Sequence, residues 1–261
     1  MIKSIENLKG AFELKGKTAL VTGGSRGLGA AIALTLAESG ADVALASRTD
    51  ATETLEALSV YGGVYRDYKA DVAILADTKK LAEDVYNDYG RVDILVNNAG
   101  ISGVNDFLDD EDLVNWNRVL GTNLQGTANM TYSIGNRMRG SGGDSCIINI
   151  SSIAGTCVLR SQNMAYYSTS KAAINHFTRC MAYELGKYDI RVNAIAAGFT
   201  NTEFSKMIPA GMVEYLNSTI VAGRFNEPVE VAAMAVYLAS PAAAAITGVV
   251  IPMNGGLDLS V

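Results

Sequence analysis

The sequence predicts a doubly wound α/β fold, a parallel sheet of about seven strands with helices on both faces. Three observations carry this expectation. Short apolar runs alternate with helical stretches of roughly 10–15 residues, as parallel strands joined by crossover helices do. Hydrophobic residues make up 49% of the chain, enough for a large core, and 26 glycines against 4 prolines favour many tight turns. No linker, repeat or low-complexity stretch breaks the alternation. Residues 1–261 therefore read as one domain, with 1–15 as an N-terminal extension.

The elements follow in order. Residues 17–22 (KTALVT) are an apolar run bounded by glycines, as a buried strand should be. Residues 28–40 form a helix with a stop at Gly40. A second strand spans 42–47 (DVALAS), a third lies within 64–72, and an amphipathic helix covers 75–90. The fourth strand is 92–97 (VDILVN). A long helical region covers about 110–139, followed by the turn GSGGD and the fifth strand, 146–151. Helix covers about 165–187, ending near the strand 190–196. An irregular helical segment (about 201–220), a helix at 228–240 and a last strand at 248–253 complete the chain. In such folds ligands bind at the carboxyl ends of the strands.

Bulk properties exclude several functions. A net charge of −6 and a pI of about 4.9 argue against nucleic acid and acidic membrane surfaces as partners. Three cysteines, Cys146, Cys157 and Cys180, lack metal-like spacing and read as reduced, buried thiols. One histidine, His176, leaves no multi-histidine metal site and no usual serine–histidine hydrolase, and reads as structural. The N-terminal stretch lacks the apolar core of a signal peptide, and no window reaches membrane-span length. The expectation is a cytoplasmic protein without a metal.

The first strand runs into TGGSRGLG, residues 22–29, and then a helix. Gly23, Gly27 and Gly29 allow a sharp turn and a close approach to a pyrophosphate, which the helix N-terminus favours electrostatically. Asn97–Gly100 (NNAG) follows the fourth strand, Asn123 stands in NLQG, NISS ends the fifth strand, and Tyr167–Lys171 reads Y-x-x-x-K. Together, in this order, these motifs resemble the classical short-chain dehydrogenase/reductase family from Gly16 to Gly256. The resemblance implies a Rossmann-type sheet, a nicotinamide cofactor and a catalytic set of Asn123, Ser152, Tyr167 and Lys171. It further implies cofactor contacts from Thr22, Gly23, Ser25, Arg26, Gly27, Leu28 and Gly29 in the first turn. Ser47, Arg48, Asp71, Val72, Asn98, Ala99, Gly100, Gly198, Thr200, Thr202, Tyr167 and Lys171 complete the implied cofactor site.

Three tyrosines carry a lysine four residues later: Tyr65–Lys69, Tyr167–Lys171 and Tyr183–Lys187. Tyr167 opens the helix after the fifth strand, beside the ligand-binding edge. Tyr183, 16 residues on, is about 24 Å away along a helix. Tyr65 lies near an outer strand, and Tyr166 points about 100° from Tyr167. A phenol is a weak base at pH 7, and the Lys171 charge favours its phenolate. By resemblance Lys171 also binds the nicotinamide ribose, Ser152 holds the substrate oxygen and Asn123 ties a water to Lys171. Asn123 reads equally as a buried side chain satisfying a bent helix. Ser151 reads as capping the strand. The Ser152-to-Tyr167 spacing is 15, two longer than the family's usual loop.

Cofactor choice rests on the second strand's end, where NAD-selective proteins place an acid. Here stand Ser47 and Arg48, with Arg26 in the glycine turn, a pair of guanidinium groups suited to a 2′-phosphate. NADP(H) is therefore expected. Ala197 replaces the family's usual proline before Gly198. Phe204, Met207, Ile208, Met212, Tyr215 and Leu216 suggest a substrate lid over about 199–222. Arg160, Ser161, Gln162 and Asn163, with ISGVND after Gly100, favour a ketose, polyol or small polar ketone. The apolar lid instead suits a steroid- or flavonoid-like ketone. Ketoacyl reduction and nucleotide sensing are further functions open to the same fold. By resemblance, the helices at about 110–139 and 165–187 pair with a partner's copies, so a homodimer or homotetramer is expected.

Overall fold

Strands β1 (Thr18–Thr22), β4 (Ile94–Asn97) and β5 (Ser145–Ser152) are buried at every residue, as central strands covered on both faces are. In this computed structural model, residues 10–103, 106–140, 144–159, 163–203 and 205–259 are described. β2 (Asp42–Ser47), β3 (Tyr65–Lys69), β6 (Ile190–Ala197) and β7 (Val250–Met253) complete a seven-stranded sheet ordered β3-β2-β1-β4-β5-β6-β7. Every pairing is parallel. The winding direction reverses between β1 and β4, and a crevice opens at that point.

Side-chain alternation divides the core into two layers. Ala19, Val21, Val43 and Leu45 pack against α1 (Gly27–Glu38), α2 (Thr52–Leu58) and α8 (Pro228–Ala239). Leu20, Ala44, Leu95 and Ile147 face the other way, onto α3 (Leu75–Tyr89), α5 (Gly126–Met138) and α6 (Ala165–Leu185). Among the described residues, no helix is long and apolar enough to cross a membrane.

Three features depart from expectation. The segment between β2 and β3 contains α2, a two-turn helix that buries only Thr54 and Leu58. The region predicted as continuous helix over about 110–139 is broken. Two single 3₁₀ turns precede α4 (Val114–Leu120), then a wide π-type turn at Gly121–Gln125 leads into α5. Positive φ at Asp112 and Leu113 stops helix there, and the Asp110 carboxylate accepts from Asn115 N and Trp116 N, starting α4 late. The third departure concerns the thiols. Only Cys146 is buried, its thiol pushed up to about 12; Cys157 is half-buried, and Cys180 is exposed on α6 beside the equally exposed His176.

Candidate active site

The turn after β1 is held by its neighbour at the end of β4. Thr22 Oγ1 donates to Val96 O and accepts from Asn98 N and Ala99 N, each at 3.0 Å. The Asn98 side-chain amide donates to Thr22 O at 2.9 Å and Gly23 O at 3.2 Å. Gly23 (φ +65°) and Gly27 (φ +59°) take left-handed backbone that other residues resist. A Cβ at Gly29 would collide with Gly23 O and Asn98 Nδ2. Thr22 is buried and stands outside the groove lining; Asn98 both braces the turn and lines the groove.

That groove has a volume of about 640 Å³ and runs past Arg26, Ser47, Arg48, Asp71 and Val72 to Gly100 and Thr202. Ser25, Gly27, Leu28 and Ala99 also line it. A second cavity of about 290 Å³ adjoins it, sharing Leu28, Asn98, Gly100, Ile101 and Thr202. Glycine backbone at one end, two guanidiniums beside a carboxylate, and a continuous path into a hydroxyl-bearing cavity fit an extended dinucleotide. Arg48 lies 3.9 Å from Asp71, and Ser47 Oγ donates to Thr49 O at 2.6 Å.

The smaller cavity holds Ser152, Tyr167 and Lys171. Tyr167 and Lys171 lie one helical turn apart on α6, with Lys171 Nζ 5.5 Å from the centre of the Tyr167 ring. Burial pushes the Tyr167 phenol up, and its hydrogen bond with Ser152 pulls it down. Burial lowers Lys171 to about 8, while its ammonium donates to Ile150 O at 2.7 Å. Asn123 sits in the π-type turn: its Oδ1 accepts from Ile101 N (2.8 Å), and its Nδ2 donates to Ile101 O and Ser170 Oγ, both at 3.0 Å. Both ends of its side chain are thus engaged, tying the bent helix to Ile101 and to α6. Gly100 stands between Asn123 and Lys171: a Cβ there would lie 3.3 Å from Asn123 Oδ1 and 3.7 Å from Lys171 Nζ. Ser151 does not cap the strand; its hydroxyl donates to Lys171 O at 3.2 Å, tying β5 to α6.

A family model described as enoyl-(acyl carrier protein) reductase matches residues 23–258. The chain belongs to the classical short-chain dehydrogenase/reductase family. Among its relatives, a D-threitol dehydrogenase of Mycolicibacterium smegmatis is 38% identical over 253 residues, covering 95% of both chains. A 3-oxoacyl-(acyl-carrier-protein) reductase of Pseudomonas aeruginosa is 37% identical over 259 residues, 95% of this chain and all of that one (100%). The structure of a gluconate 5-dehydrogenase from Burkholderia cenocepacia with NADP and tartrate is similar with a TM-score of 0.90, at 30% identity and 97% and 99% coverage. As a short-chain dehydrogenase/reductase, the chain is an oxidoreductase of alcohol and ketone groups.

Against that family frame, the alternative tyrosines separate cleanly. Tyr183 is 89% exposed, Tyr65 begins the edge strand β3, and Tyr166 is buried with its hydroxyl donating to Asp106 O. Gly198 and Thr200 line the smaller cavity, and Thr202 lines both. Despite Ala197, the turn closes through Gly198 N donating to Met253 O at 2.8 Å. Of the lid stripe, Ile208 lines the cavity and Leu216, the buried residue of α7 (Ala210–Thr219), packs with Ile153, Ile220, Phe225 and Leu257. Met212 and Tyr215 face outward. Phe204, the Met207 side chain, and Arg160, Ser161 and Gln162 lie outside the described residues. Asn163 is exposed and not part of the cavity wall, so the polar wall expected of it is absent.

Several site residues escaped the sequence reading. Ser170 accepts from Asn123 and donates to Tyr167 O at 2.7 Å; its place three residues after Tyr167 on one helix face was the available signal. Thr49, Thr122 and Glu203 line the dinucleotide groove with no local motif to announce them.

Proposed function

We propose that the enzyme interconverts a small polar ketone, of the ketose or polyol class, and its secondary alcohol with NADP(H). The observation that carries this reading is the half-buried Tyr167 phenol, hydrogen-bonded by Ser152 and backed by Lys171, on the wall of the cavity that adjoins the groove at Gly100. NADP(H) would lie along the groove, its phosphates on the turn from Gly23 to Gly29, its 2′-phosphate toward Arg26 and Arg48, and its carboxamide toward Thr202. Bound there, it supplies or accepts the hydride. The chain supplies the rest. Ser152 donates to the carbonyl oxygen and polarises it. Tyr167, kept protonated by burial, passes its proton to the same oxygen. The Lys171 ammonium stabilises the phenolate left behind and holds the nicotinamide ribose. Asn123 fixes Ile101 and Ser170 around this pair; by family resemblance it also ties a water to Lys171.

The cavity of about 290 Å³ sits at the low end of ligand pockets, which favours a small substrate. Its walls at Ile153, Leu159, Met164 and Phe199 favour a second reading, a ketone with a bulkier apolar body beneath a lid at about 199–222. Turnover of a panel of ketoses, acyl thioesters and cyclic ketones with NADPH and NADH, followed at the nicotinamide absorbance, separates the two. Preference for cyclic apolar ketones overturns the first. The outer faces of α5 and α6, with Tyr132 exposed at a hollow lined by Gly135, Phe177 and Met181 and Tyr183 exposed on α6, support a symmetric dimer or tetramer. Sedimentation showing only monomer at micromolar concentration contradicts it.

A further inference from the structure

The smaller cavity has more hydroxyl groups than the chemistry above uses, and most of the surplus is engaged. Ser151 donates to Lys171 O, Thr200 to Gly198 O, and Ser205 to Thr202 O while accepting from Thr202 N. Ser152 and Tyr167 serve the reacting oxygen, and Thr202 stands at the boundary with the dinucleotide groove. Ser102 is different. It forms part of the cavity wall, yet its hydroxyl oxygen is shut off from solvent and has no hydrogen-bond partner among the described residues. A buried hydroxyl with neither water nor partner is unfavourable, and rotation about one side-chain bond is enough to redirect it.

The backbone on either side of Ser102 is fixed. Ile101 is clamped through both its N–H and its carbonyl by the Asn123 amide. Gly103 is wedged so tightly that a Cβ would lie 3.1 Å from Val119 and 3.3 Å from Tyr166. Ser102 is thus a lone hydroxyl on rigid backbone, two residues beyond Gly100, which itself adjoins Lys171. A group held this way loses little freedom on binding. Ser102 lines the same cavity as Ser152 and Tyr167, so one small substrate can present an oxygen to each.

We propose that Ser102 is a specificity-determining residue whose hydroxyl bonds a second substrate oxygen, so that hydroxyketones and their diols are preferred over simple ketones. This rests on the ketone–alcohol reading above and names the oxygen pattern that reading leaves open. A site with an otherwise unpaired hydroxyl discriminates against analogues lacking the matching group.

The test compares kcat/KM for 1-hydroxy-2-butanone and 2-butanone, which differ by one hydroxyl, in the wild type and in Ser102→Ala, Ser102→Thr and Ser102→Cys. The wild type should prefer the hydroxyketone by about 100-fold or more. Ser102→Ala should cut that ratio by at least about tenfold, Ser102→Thr should restore most of it, and Ser102→Cys should fall between. The loss should appear mainly in KM for the hydroxyketone. Melting curves check that each variant is folded, and Thr and Cys keep the question open to refutation if Ala is not. Turnover of both ketones with a ratio near one, or a ratio indifferent to all three substitutions, overturns the role of Ser102 and leaves the oxidoreductase reading standing. No turnover of either ketone with either nicotinamide removes both.

Discussion

The two cavities that meet at Gly100 are built by different means. The dinucleotide groove rests on directional bonds: Thr22 and Asn98 lock the ends of β1 and β4 together through bonds of 2.9–3.2 Å. The outer wall of the substrate cavity rests on apolar contact, with Phe199 stacked on Phe225 at 5.1 Å and Leu216, Ile220 and Leu257 around Ile153. Directional bonds demand particular residues at particular places. Apolar packing asks only for suitable volume and shape. One fold can therefore keep its cofactor half constant while its substrate half is recut.

The most disruptive probe of this division is the reacting phenol of the substrate cavity. Tyr167→Phe should lower kcat by about 10²–10⁴-fold, because only the proton donor is lost. NADPH affinity, read by nicotinamide fluorescence, should stay nearly unchanged, and Tyr183→Phe should remain active. Equal losses in both folded variants would contradict the assignment.

Leu257→Ala tests the apolar half, since Leu257 is almost wholly buried in that wall. A stability loss of about 2–5 kcal/mol is expected in urea denaturation, with KM for the ketone raised. If NADPH affinity falls as steeply as ketone affinity, the halves are not separable in the way described.

Lys171 sharpens the comparison through pH. Burial lowers its pKa in the folded protein to about 8 from an ordinary 10.5. Between these values the unfolded chain binds the extra proton, so this residue's contribution makes stability rise as pH climbs from about 8 to 10.5. The full span is worth up to about 3 kcal/mol. Lys171→Met should remove that component from the urea midpoint and abolish turnover. A wild-type-minus-variant difference that stays flat over the window would refute it. Reduction should also slow above about pH 8, as the charge supporting the phenolate is lost.

The smallest effect lies at the groove's far end. Arg48→Ala should weaken NADPH relative to NADH by about 1.5–3 kcal/mol in direct titration. The lower part of that range is expected, because Arg48 is 62% exposed and already faces Asp71. A wild-type preference for NADH would defeat the argument from Ser47 and Arg48.

What was legible in the sequence follows the same division. DVALAS reads as a strand because it is covered on both faces, and Tyr167–Lys171 is found because position after β5 separates it from two similar pairs. TETLEAL gave no comparable signal: a two-turn helix with two buried residues carries too little periodicity. Ser151 was misjudged because its partner is a main-chain carbonyl 20 residues away, and Cys180 because cysteine composition says nothing of which helix face it occupies. Thr49, Thr122 and Glu203 reach the site through folding rather than through any local pattern.

The wide turn at Gly121–Gln125 has a consequence for phase. A π-type turn carries one more residue than the helical turn it replaces, so α4 and α5 need not share a common angular register. Val119 can point inward on one side while Met130, Ile134 and Met138 choose their own inward direction on the other. Asn123, at the dislocation, is turned out of both rows and toward Ile101 and Ser170. Deleting a single residue there would let the turn revert to ordinary helix, leaving Met130, Ile134 and Met138 facing inward but removing the bulge that presents Asn123 to Ile101 and Ser170.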